Sequence, residues 1–374
     1  MKIFKNILKL TVTTLAAAAV LSSCSDWTNP EPVDFHYVTI GEKNPELYEA
    51  YLQSLRDYRT SEHKIVIAKF DNKAGVPSGR AEHINCLPDS VDYIILKNAD
   101  VISQAISSEM EEVRSLKGQK VLYEIDYKSI ETAYKAYAQA WEDAHQPAEP
   151  AAEGGSGEGE SGEQVEEKPL SLNEFVNESV LAQTKWLGEF GYDGVNVVFT
   201  SKNPASCTEE GKTELTALQE AFLAPVVDLL EKNPDALLFF EGTPQYLLCH
   251  ESLVNRSNYL IVPAESAANE YECSYNLNLM MRLGNIPTDR FVLGVTAKSL
   301  EDPSLKPGSF TGTDRNGYAK TAIIGGAEWV VAGNADVKRA GICINNAKND
   351  YFNLNKVYYN IREAISIMNP SPVK

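Results

Sequence analysis

The stretch GYDGVNVVFTS, residues 191–201, joins an Asp-Gly turn to a run of apolar, mostly β-branched residues. Such a run, bounded by turn signals, predicts a buried β-strand over residues 194–200. The chain contains seven more runs of this kind, with helical patterns between them. They span residues 64–70, 91–98, 120–127, 236–242, 258–264, 290–297 and 339–345. Near-continuous apolar strands that alternate with helices predict an α/β protein with a parallel sheet covered on both faces.

The number of strand–helix units favours a closed (β/α)8 TIM barrel, and the roughly 310 residues from 64 to 374 suit the size of such a barrel. Periodicity leaves a doubly wound open sheet as the alternative. Apolar stripes at helical spacing predict a final helix and several earlier ones. These helices span residues 46–58, 129–141, 171–191 and 353–368. The barrel domain is expected to occupy residues 46–374.

One segment interrupts this rhythm between the third and fourth strands. Residues 142–169 are rich in Gly, Ser, Ala and Glu and contain no aromatic residue, isoleucine or leucine. Such a segment cannot bury enough apolar area to offset the entropy lost on ordering. We therefore predict a disordered, acidic surface loop inside the barrel domain rather than a domain boundary.

The N-terminus has the pattern of a secretory signal. Three lysines within the first nine residues precede an apolar run over residues 10–21, which is too short to be a membrane span. The run ends in LSSC and resembles the lipobox of bacterial lipoproteins. This resemblance implies removal of residues 1–23, lipidation of Cys24 and anchoring in the outer membrane. Residues 24–45 are polar and contain Pro, and we interpret them as a tether.

Composition and cysteine spacing exclude several classes of function. The net charge of −18 over 374 residues repels phosphate backbones and argues against nucleic-acid binding. The sequence has no GxGxxG after the first strand, so no cofactor is expected. It has no CxxC and its five histidines are scattered, so no metal site is expected either. Cys249 and His250 are neighbours whose side chains usually point apart, which argues against a cysteine protease.

Function in a (β/α)8 barrel gathers at the carboxyl ends of the strands. Those ends carry carboxylates, amides and aromatic rings, which bond to sugar hydroxyls or stack on sugar rings. The arrangement predicts a neutral polar ligand such as a glycan. The candidate ligand-binding residues are Asp71, Asn98, Asp126, Tyr127, Asn196, Thr200, Glu241, Gln245, Tyr246, Glu265, Asn345 and Asn346.

The fourth strand resembles a motif of glycoside hydrolase family 18, the chitinases and endo-β-N-acetylglucosaminidases. That family carries D-G-x-D-x-D-x-E on the fourth strand of a (β/α)8 barrel. Asp193 and Gly194 match the opening pair, while Asn196, Val198 and Thr200 stand where the motif has its later acids. With the lipobox, the resemblance implies a lipoprotein of Bacteroidetes glycan-utilisation systems, the polysaccharide-utilisation machinery of the cell surface.

The departures from the motif bear on catalysis. Family 18 enzymes use the acetamido group of the substrate as nucleophile, a terminal Glu as acid and a preceding Asp to orient the acetamido group. Thr200 and Val198 supply neither function, and strand alternation places Asn196, Val198 and Thr200 on the inner face of the barrel. We therefore expect no catalytic residue at this degenerate motif. Glu241 is the best candidate for a displaced acid, and Asp126 and Glu265 are others.

The sequence thus predicts a cell-surface pseudoenzyme that captures N-acetylglucosamine-containing oligosaccharides, such as N-glycans, and passes them to an outer-membrane importer. An active endo-β-N-acetylglucosaminidase that uses Glu241 is the enzymatic alternative. A structural lipoprotein with a vestigial pocket is the third alternative.

Overall fold

A computed structural model describes residues 40–145, 168–333, 336–353 and 356–371. The predicted signal peptide, Cys24 and residues 24–39 of the predicted tether lie outside the described residues, and so do residues 146–167 of the predicted acidic loop. Residues 142–144 of that loop belong to a helix. The last part of the predicted tether is also helical, since a short helix spans Ile40–Lys43 and the next begins at Pro45.

The described residues contain ten strands, and each range predicted from the sequence contains one of them. In chain order they are Ile65–Phe70 (β1), Tyr93–Leu96 (β2), Lys120–Asp126 (β3), Gly194–Phe199 (β4), Leu237–Gly242 (β5), Tyr259–Pro263 (β6), Phe291–Thr296 (β7), Ser309–Thr313 (β8), Ala319–Thr321 (β9) and Arg339–Asn345 (β10). All except β8 and β9 are parallel and close into a barrel, in the spatial order β1, β10, β7, β6, β5, β4, β3 and β2. The pairing of β1 with β10 closes the sheet, which confirms the predicted barrel and excludes the open sheet.

Helices follow the barrel strands and cover the outside of the barrel. Their bounds are Gln104–Lys117, Tyr127–Ala144, Leu172–Thr184, Trp186–Glu189, Glu209–Lys232, Ser252–Arg256, Glu270–Met281, Ala322–Val331 and Tyr359–Met368, and the helix Pro45–Thr60 precedes β1 in the chain. The predicted helix over residues 171–191 is interrupted between Thr184 and Trp186. None of the helices in the described residues is both long and apolar enough to cross a membrane.

The last helix begins later than predicted. The apolar stripe predicted a helix over residues 353–368, but the observed helix spans Tyr359–Met368. Tyr358, the residue before it, has a φ of 54°, a left-handed backbone conformation that cannot continue a right-handed helix. Residues Ala347–Tyr351 form a separate 3-10 turn. The apolar stripe therefore begins before the point at which the backbone enters the helix.

The strands β8 and β9 form a two-stranded antiparallel hairpin after β7, and this hairpin was not predicted. Their sequences, SFTGT and AKT, are short and largely polar, so they lack the apolar run that marks a barrel strand. The hairpin stands at the carboxyl end of β7, where it contributes to one side of the barrel mouth.

The barrel has separate inner and outer apolar layers. On β4, Val195, Val197 and Phe199 belong to the outer cluster, which packs against the helices. Asn196 points the other way and contacts carboxylates inside the barrel. The inner cluster contains Ile67, Phe239 and other apolar residues nearer the amino ends of the strands. The alternation predicted for β4 is confirmed, and the polar inner residues lie towards the carboxyl ends.

Candidate functional site

Asp193 and Gly194, the two residues that match the family motif, have structural contacts at the amino end of β4. One carboxylate oxygen of Asp193 accepts a hydrogen bond from the backbone N–H of Val121 at 2.8 Å and another from Nε of Arg114 at 2.6 Å. A Cβ atom added to Gly194 would lie 2.2 Å from the carbonyl oxygen of Leu237 on β5. The fold alone therefore explains why this pair is present.

A charged network fills the upper part of the barrel interior. Nζ of Lys69 on β1 lies 2.6 Å from Oε2 of Glu124 on β3 and forms a second ion pair with Oε2 of Glu241 on β5. The side-chain amide of Asn196 on β4 donates to the same two oxygens, at 3.2 Å to Glu124 and 3.0 Å to Glu241. Four strands thus contribute one connected network, with only 3% of the Lys69 side chain and 6% of the Glu241 side chain exposed.

Electrostatics fixes the protonation of this network. Burial lowers the pKa of Lys69, but the carboxylates of Glu241 and Glu124 outweigh that effect and hold it well above its ordinary value. Burial raises the pKa of Glu124, and the ammonium of Lys69 more than reverses this and lowers it. Opposite charges therefore stabilise each other between Lys69 and Glu124, and Asn196 adds a neutral donor to the network. A carboxylate at position 196 would place a third acidic group against the carboxyl groups of Glu124 and Glu241.

Sequence analysis did not single out Lys69 or Glu124, although the sequence contains a signal for both. Each is a charged residue within an otherwise apolar strand, in KIVIAKF and KVLYEIDY. A charged residue is almost never buried unless it is paired. Two such residues of opposite charge, both within buried strands, indicate an internal ion pair.

Glu265 and Asn345 form a second polar pair at the mouth. Nδ2 of Asn345, at the end of β10, donates to Oε1 of Glu265 at 2.9 Å. Burial and then the negative charge of Glu241 raise the pKa of Glu265 to about 7. At neutral pH the Glu265 carboxyl group is thus close to the midpoint of its titration.

Val198 and Thr200 stand above the charged network. Val198 lies opposite Glu241 in the pairing of β4 with β5, and it is partly exposed. Thr200 follows the end of β4 and is exposed at the mouth. At the two places where the family motif has its last two acids, this chain presents a methyl-bearing side chain and a hydroxyl. Neither side chain is a general acid at neutral pH.

A polar cavity of about 390 Å³ opens at the ends of β1, β2 and β3. It brings together three of the predicted residues, Asp71, Asn98 and Asp126, with Lys97 and Trp186. Nδ2 of Asn98 donates to Oδ1 of Asp71 at 2.8 Å. Asp126 caps the helix Tyr127–Ala144 by accepting from backbone N–H groups of its first turn. The cavity therefore combines polar groups with one aromatic ring that sequence analysis did not select.

A groove of about 430 Å³ lies between the β8–β9 hairpin and the segment after β10. Phe352 and Tyr318 line it and are 61% and 52% exposed. Tyr359 donates through its hydroxyl to Oδ2 of Asp314 at 3.1 Å, and Asn349 also lines the groove. Exposed aromatic rings beside amides and carboxylates are the groups expected of a sugar-binding surface. Sequence analysis missed this groove because the hairpin that forms one wall was not predicted.

The chain matches the family model described as glycoside hydrolase family 18, BT1044-like, over residues 28–367. This chain belongs to glycoside hydrolase family 18. Its fold is similar to that of the BT1044 protein, solved as a selenomethionine-labelled variant, with 15% sequence identity and a TM-score of 0.57 over 89% of this chain and 96% of that chain. Catalytic domain 2 of an Ostrinia furnacalis Group II chitinase, solved with penta-N-acetylchitooctaose, has 11% identity and a TM-score of 0.49 over 83% and 97%. No curated protein matches the chain.

The family 18 barrel does not gather all the predicted residues into one site. Tyr127 lies on the helix side of the sheet, with its ring centroid 5.2 Å from that of Phe199 and 5.7 Å from that of Phe222. Its contacts are those of helix-to-sheet packing rather than of the barrel interior, because the residue begins a helix. Glu241 is inside the barrel but is only 4% exposed, so a ligand at the mouth has little access to its carboxylate.

Three more predicted residues belong to the loops after β5 and β10. Gln245 lines a separate cavity of about 530 Å³ beside the loop that follows β5. The backbone carbonyl of Tyr246 accepts a hydrogen bond from Gln219 of the helix Glu209–Lys232 at 3.1 Å. Asn346 has a left-handed backbone with a φ of 52°, and its amide donates to the hydroxyl of Thr296 at 3.4 Å. These residues shape the rim of the barrel mouth.

Proposed function

We propose that this family 18 protein binds oligosaccharides at the mouth of its barrel and does not hydrolyse them. The observation that carries the proposal is the pair of uncharged side chains at Val198 and Thr200, above a charged network that is already internally paired. A family 18 reaction needs an acid at the end of β4 and a carboxylate before it. A general acid accelerates such a reaction by about 10²–10⁴-fold, so its loss removes much of the rate.

The ligand is proposed to be an N-acetylglucosamine-containing glycan, such as an N-glycan. The support is chemical: the polar cavity and the aromatic groove flank the mouth, and both offer groups that bind hydroxyls and amides. Two flanking surfaces suit a branched or extended oligosaccharide better than a single sugar. The negative charge of the protein has no effect on attraction of a neutral glycan.

The protein is further proposed to act at the outer-membrane surface, anchored through lipids on Cys24 and handing its glycan to an outer-membrane importer. This rests on the lipobox-like LSSC and the polar tether after it. More than one acyl chain gives stable attachment, whereas one chain binds only marginally. Radiolabelled palmitate incorporated by wild-type cells, and lost in a Cys24→Ala strain, supports the anchor; equal labelling of both strains refutes it.

Calorimetry with defined glycans and incubation with intact N-glycoproteins test the main proposal. We expect saturable binding of at least one N-acetylglucosamine-containing oligosaccharide and no release of glycans from the glycoproteins. Absence of binding to chitotetraose, high-mannose and complex N-glycans at millimolar concentration would sink the proposal and favour a structural lipoprotein. Glycan release at enzyme-like rates would replace binding with hydrolysis.

Hydrolysis by a displaced acid is the second candidate, and one observation favours it. Sequence analysis named Glu241 as that acid, but the structure ties the Glu241 carboxylate to Lys69 and Asn196. Glu265, with a pKa raised to about 7, is better suited to donate a proton at neutral pH. If glycan release is detected, Glu265→Gln should abolish it. Persistence of the activity in this variant would rule out Glu265 as the acid.

A further inference from the structure

Within the part of the chain that the structure describes, one group of three potential metal ligands stands outside the barrel mouth. It consists of Glu220, on the helix Glu209–Lys232, and of Cys249 and His250, in the loop after β5. One ligand atom from each residue lies within 4.8 Å of the others. Thiolate sulfur, imidazole nitrogen and carboxylate oxygen are the three atom types that bind zinc in proteins.

The backbone explains how two sequence neighbours come to face the same point. Adjacent side chains diverge in extended or helical backbone, and sequence reasoning therefore did not predict a shared site. His250, however, has a φ of 55°, in the left-handed region that residues with a Cβ atom rarely adopt. The turn brings the His250 ring towards the helix, where its Nε2 lies 2.8 Å from Oε2 of Glu220.

A buried glutamine holds this turn in place. Oε1 of Gln219 accepts from the backbone N–H of Leu248 at 2.7 Å, and its Nε2 donates to the hydroxyl of Ser201 at 3.2 Å. Gln219 is fully buried, and its Oε1 also lies 3.9 Å from Sγ of Cys249. The loop is therefore anchored on the residue before Cys249, and the helix that anchors it also supplies Glu220. The fold thus sets the position of the loop that carries Cys249 and His250, and of the helix that carries the 57% exposed side chain of Glu220.

We propose that Glu220, Cys249 and His250 bind a zinc ion, with water as the fourth ligand. Zinc–ligand bonds of about 2.0–2.3 Å in a tetrahedral site place ligand atoms about 3.3–3.8 Å apart. The pair of His250 and Glu220, now at 2.8 Å, would therefore open slightly, and the other pairs, now within 4.8 Å, would close by about 1 Å. Cys249 would release its thiol proton to solvent as its sulfur binds the ion. All three residues are at least partly exposed, which leaves an entry path for zinc and room for the water.

Bound zinc would tie the loop after β5 to the helix Glu209–Lys232. That loop follows β5, the strand that carries Glu241, and includes Gln245 and Tyr246 at the rim of the barrel. The ion would be structural, and its effect would be to fix one side of the mouth. Because zinc binds the folded state, thermal stability should rise with zinc concentration. This inference does not depend on glycan binding.

Calorimetry with zinc alone, on protein first stripped with a chelator, tests the site. We expect one equivalent to bind to the wild type and Cys249→Ser to weaken binding by more than about 100-fold, since even loss of a supporting residue around a zinc site costs 10–100-fold. Cys207→Ser is the matched control, because Cys207 is also a partly exposed free thiol in a surface segment. It should bind zinc like the wild type. Cobalt in place of zinc should give a thiolate charge-transfer band that Cys249→Ser removes and Cys207→Ser retains.

Two further variants keep the test decisive if Cys249→Ser folds poorly. His250→Gly suits the left-handed backbone and removes only the imidazole, and Glu220→Gln keeps the shape of an exposed side chain. Each should weaken zinc binding at unchanged circular dichroism. Failure of the wild type to bind one equivalent would overturn the proposal. So would wild-type affinity in folded Cys249→Ser or His250→Gly protein.

Discussion

At the β1, β3, β4 and β5 side of the barrel, Lys69 and Asn196 direct their donors to carboxylates within the protein. At the β7 and β10 side, Phe352 and Tyr318 leave more than half of their surface open to solvent. Both regions lie where a (β/α)8 barrel carries its function. The donors and carboxylates of the charged network are paired with one another, whereas the aromatic groove still offers surface to a ligand. A polar residue at a strand end is thus a binding candidate only when its partners are not already inside the protein.

The first and largest expected effect comes from breaking the internal network. Lys69→Met should lower the free energy of unfolding by about 3–5 kcal/mol, because it leaves the carboxylates of Glu124 and Glu241 buried without a cation. Urea denaturation at pH 7 measures the change. Lys73→Met is the control, since Lys73 pairs with Glu82 but its side chain is 63% exposed, and this substitution should change the free energy of unfolding far less. Equal effects of the two variants would contradict a stabilising role for the network.

The second prediction restores the acid that the family motif has at Asn196. Asn196→Asp should lower stability by about 2 kcal/mol or more, because it places a third carboxylate against Glu124 and Glu241 and removes their amide donor. Chemical denaturation at pH 7 again gives the difference. Asn203→Asp is a suitable control, since Asn203 accepts from the backbone N–H of Ala205 and a carboxylate does this equally well. An Asn196→Asp variant with the stability of the wild type would show that the site still tolerates the motif residue.

These two variants also measure the coupling within the network. Asn196 donates to the same two carboxylate groups that pair with Lys69, so substitution of one member affects the others. Energies of residues in one network are not additive. In the Lys69→Met background, Asn196→Asp should therefore cost a different amount from its cost in the wild type. A double-mutant cycle gives the size of this coupling.

The third prediction concerns Glu265, which is hydrogen-bonded to Asn345 at the mouth and is not paired with Lys69. Its folded-state pKa of about 7 lies above its ordinary value of 4.5, so the folded state binds the proton more tightly than the unfolded state. The stability from this proton is fully present below about pH 4.5 and is lost as the pH rises through 7. Between pH 6 and pH 8, wild type should lose about 1–2 kcal/mol more stability than Glu265→Gln.

The comparison with Glu265→Gln isolates one carboxyl group. Burial also raises the pKa of Asp350, to about 6, but Asp350 is present in both proteins and its contribution cancels. The variant keeps a side-chain oxygen that can accept from the amide of Asn345. Parallel stability curves for the two proteins over pH 5–8 would show that Glu265 titrates at its ordinary value.

The barrel was predictable because its strands are buried on both faces, so each gives a continuous apolar run. Alternation along β4 was predictable because side chains two residues apart in a strand share a face. The partners of Asn196 were not, because Glu124 and Glu241 lie 72 and 45 positions away in the chain and meet only when the barrel closes. Sequence spacing carries no information about which inner residues become neighbours across a barrel.

Local backbone geometry accounts for other differences. Tyr358 and His250 both adopt left-handed conformations that their residue types do not signal. The first makes the last helix begin later than its apolar stripe predicted, and the second turns the His250 ring towards a residue that its sequence neighbour also faces. Tyr127 was selected for its position at a strand end, but it starts a helix and packs against Phe199. Strand ends locate a residue along the barrel axis without saying which side of the sheet it faces.

Phe352→Ala should give the smallest change in stability, and it tests the groove that Phe352 and Tyr318 line. The Phe352 ring is 61% exposed, so its removal should alter the free energy of unfolding by no more than about 0.5 kcal/mol. If the groove binds sugar rings, the same change should weaken glycan affinity by about tenfold, or about 1.4 kcal/mol. Tyr271→Ala is the control, because Tyr271 is 87% exposed on the helix Glu270–Met281 and does not line the groove. Calorimetry with an oligosaccharide that binds the wild type separates the two. Equal affinity of both variants would place the ligand elsewhere and leave the polar cavity at Asp71, Asn98 and Asp126 as the binding surface.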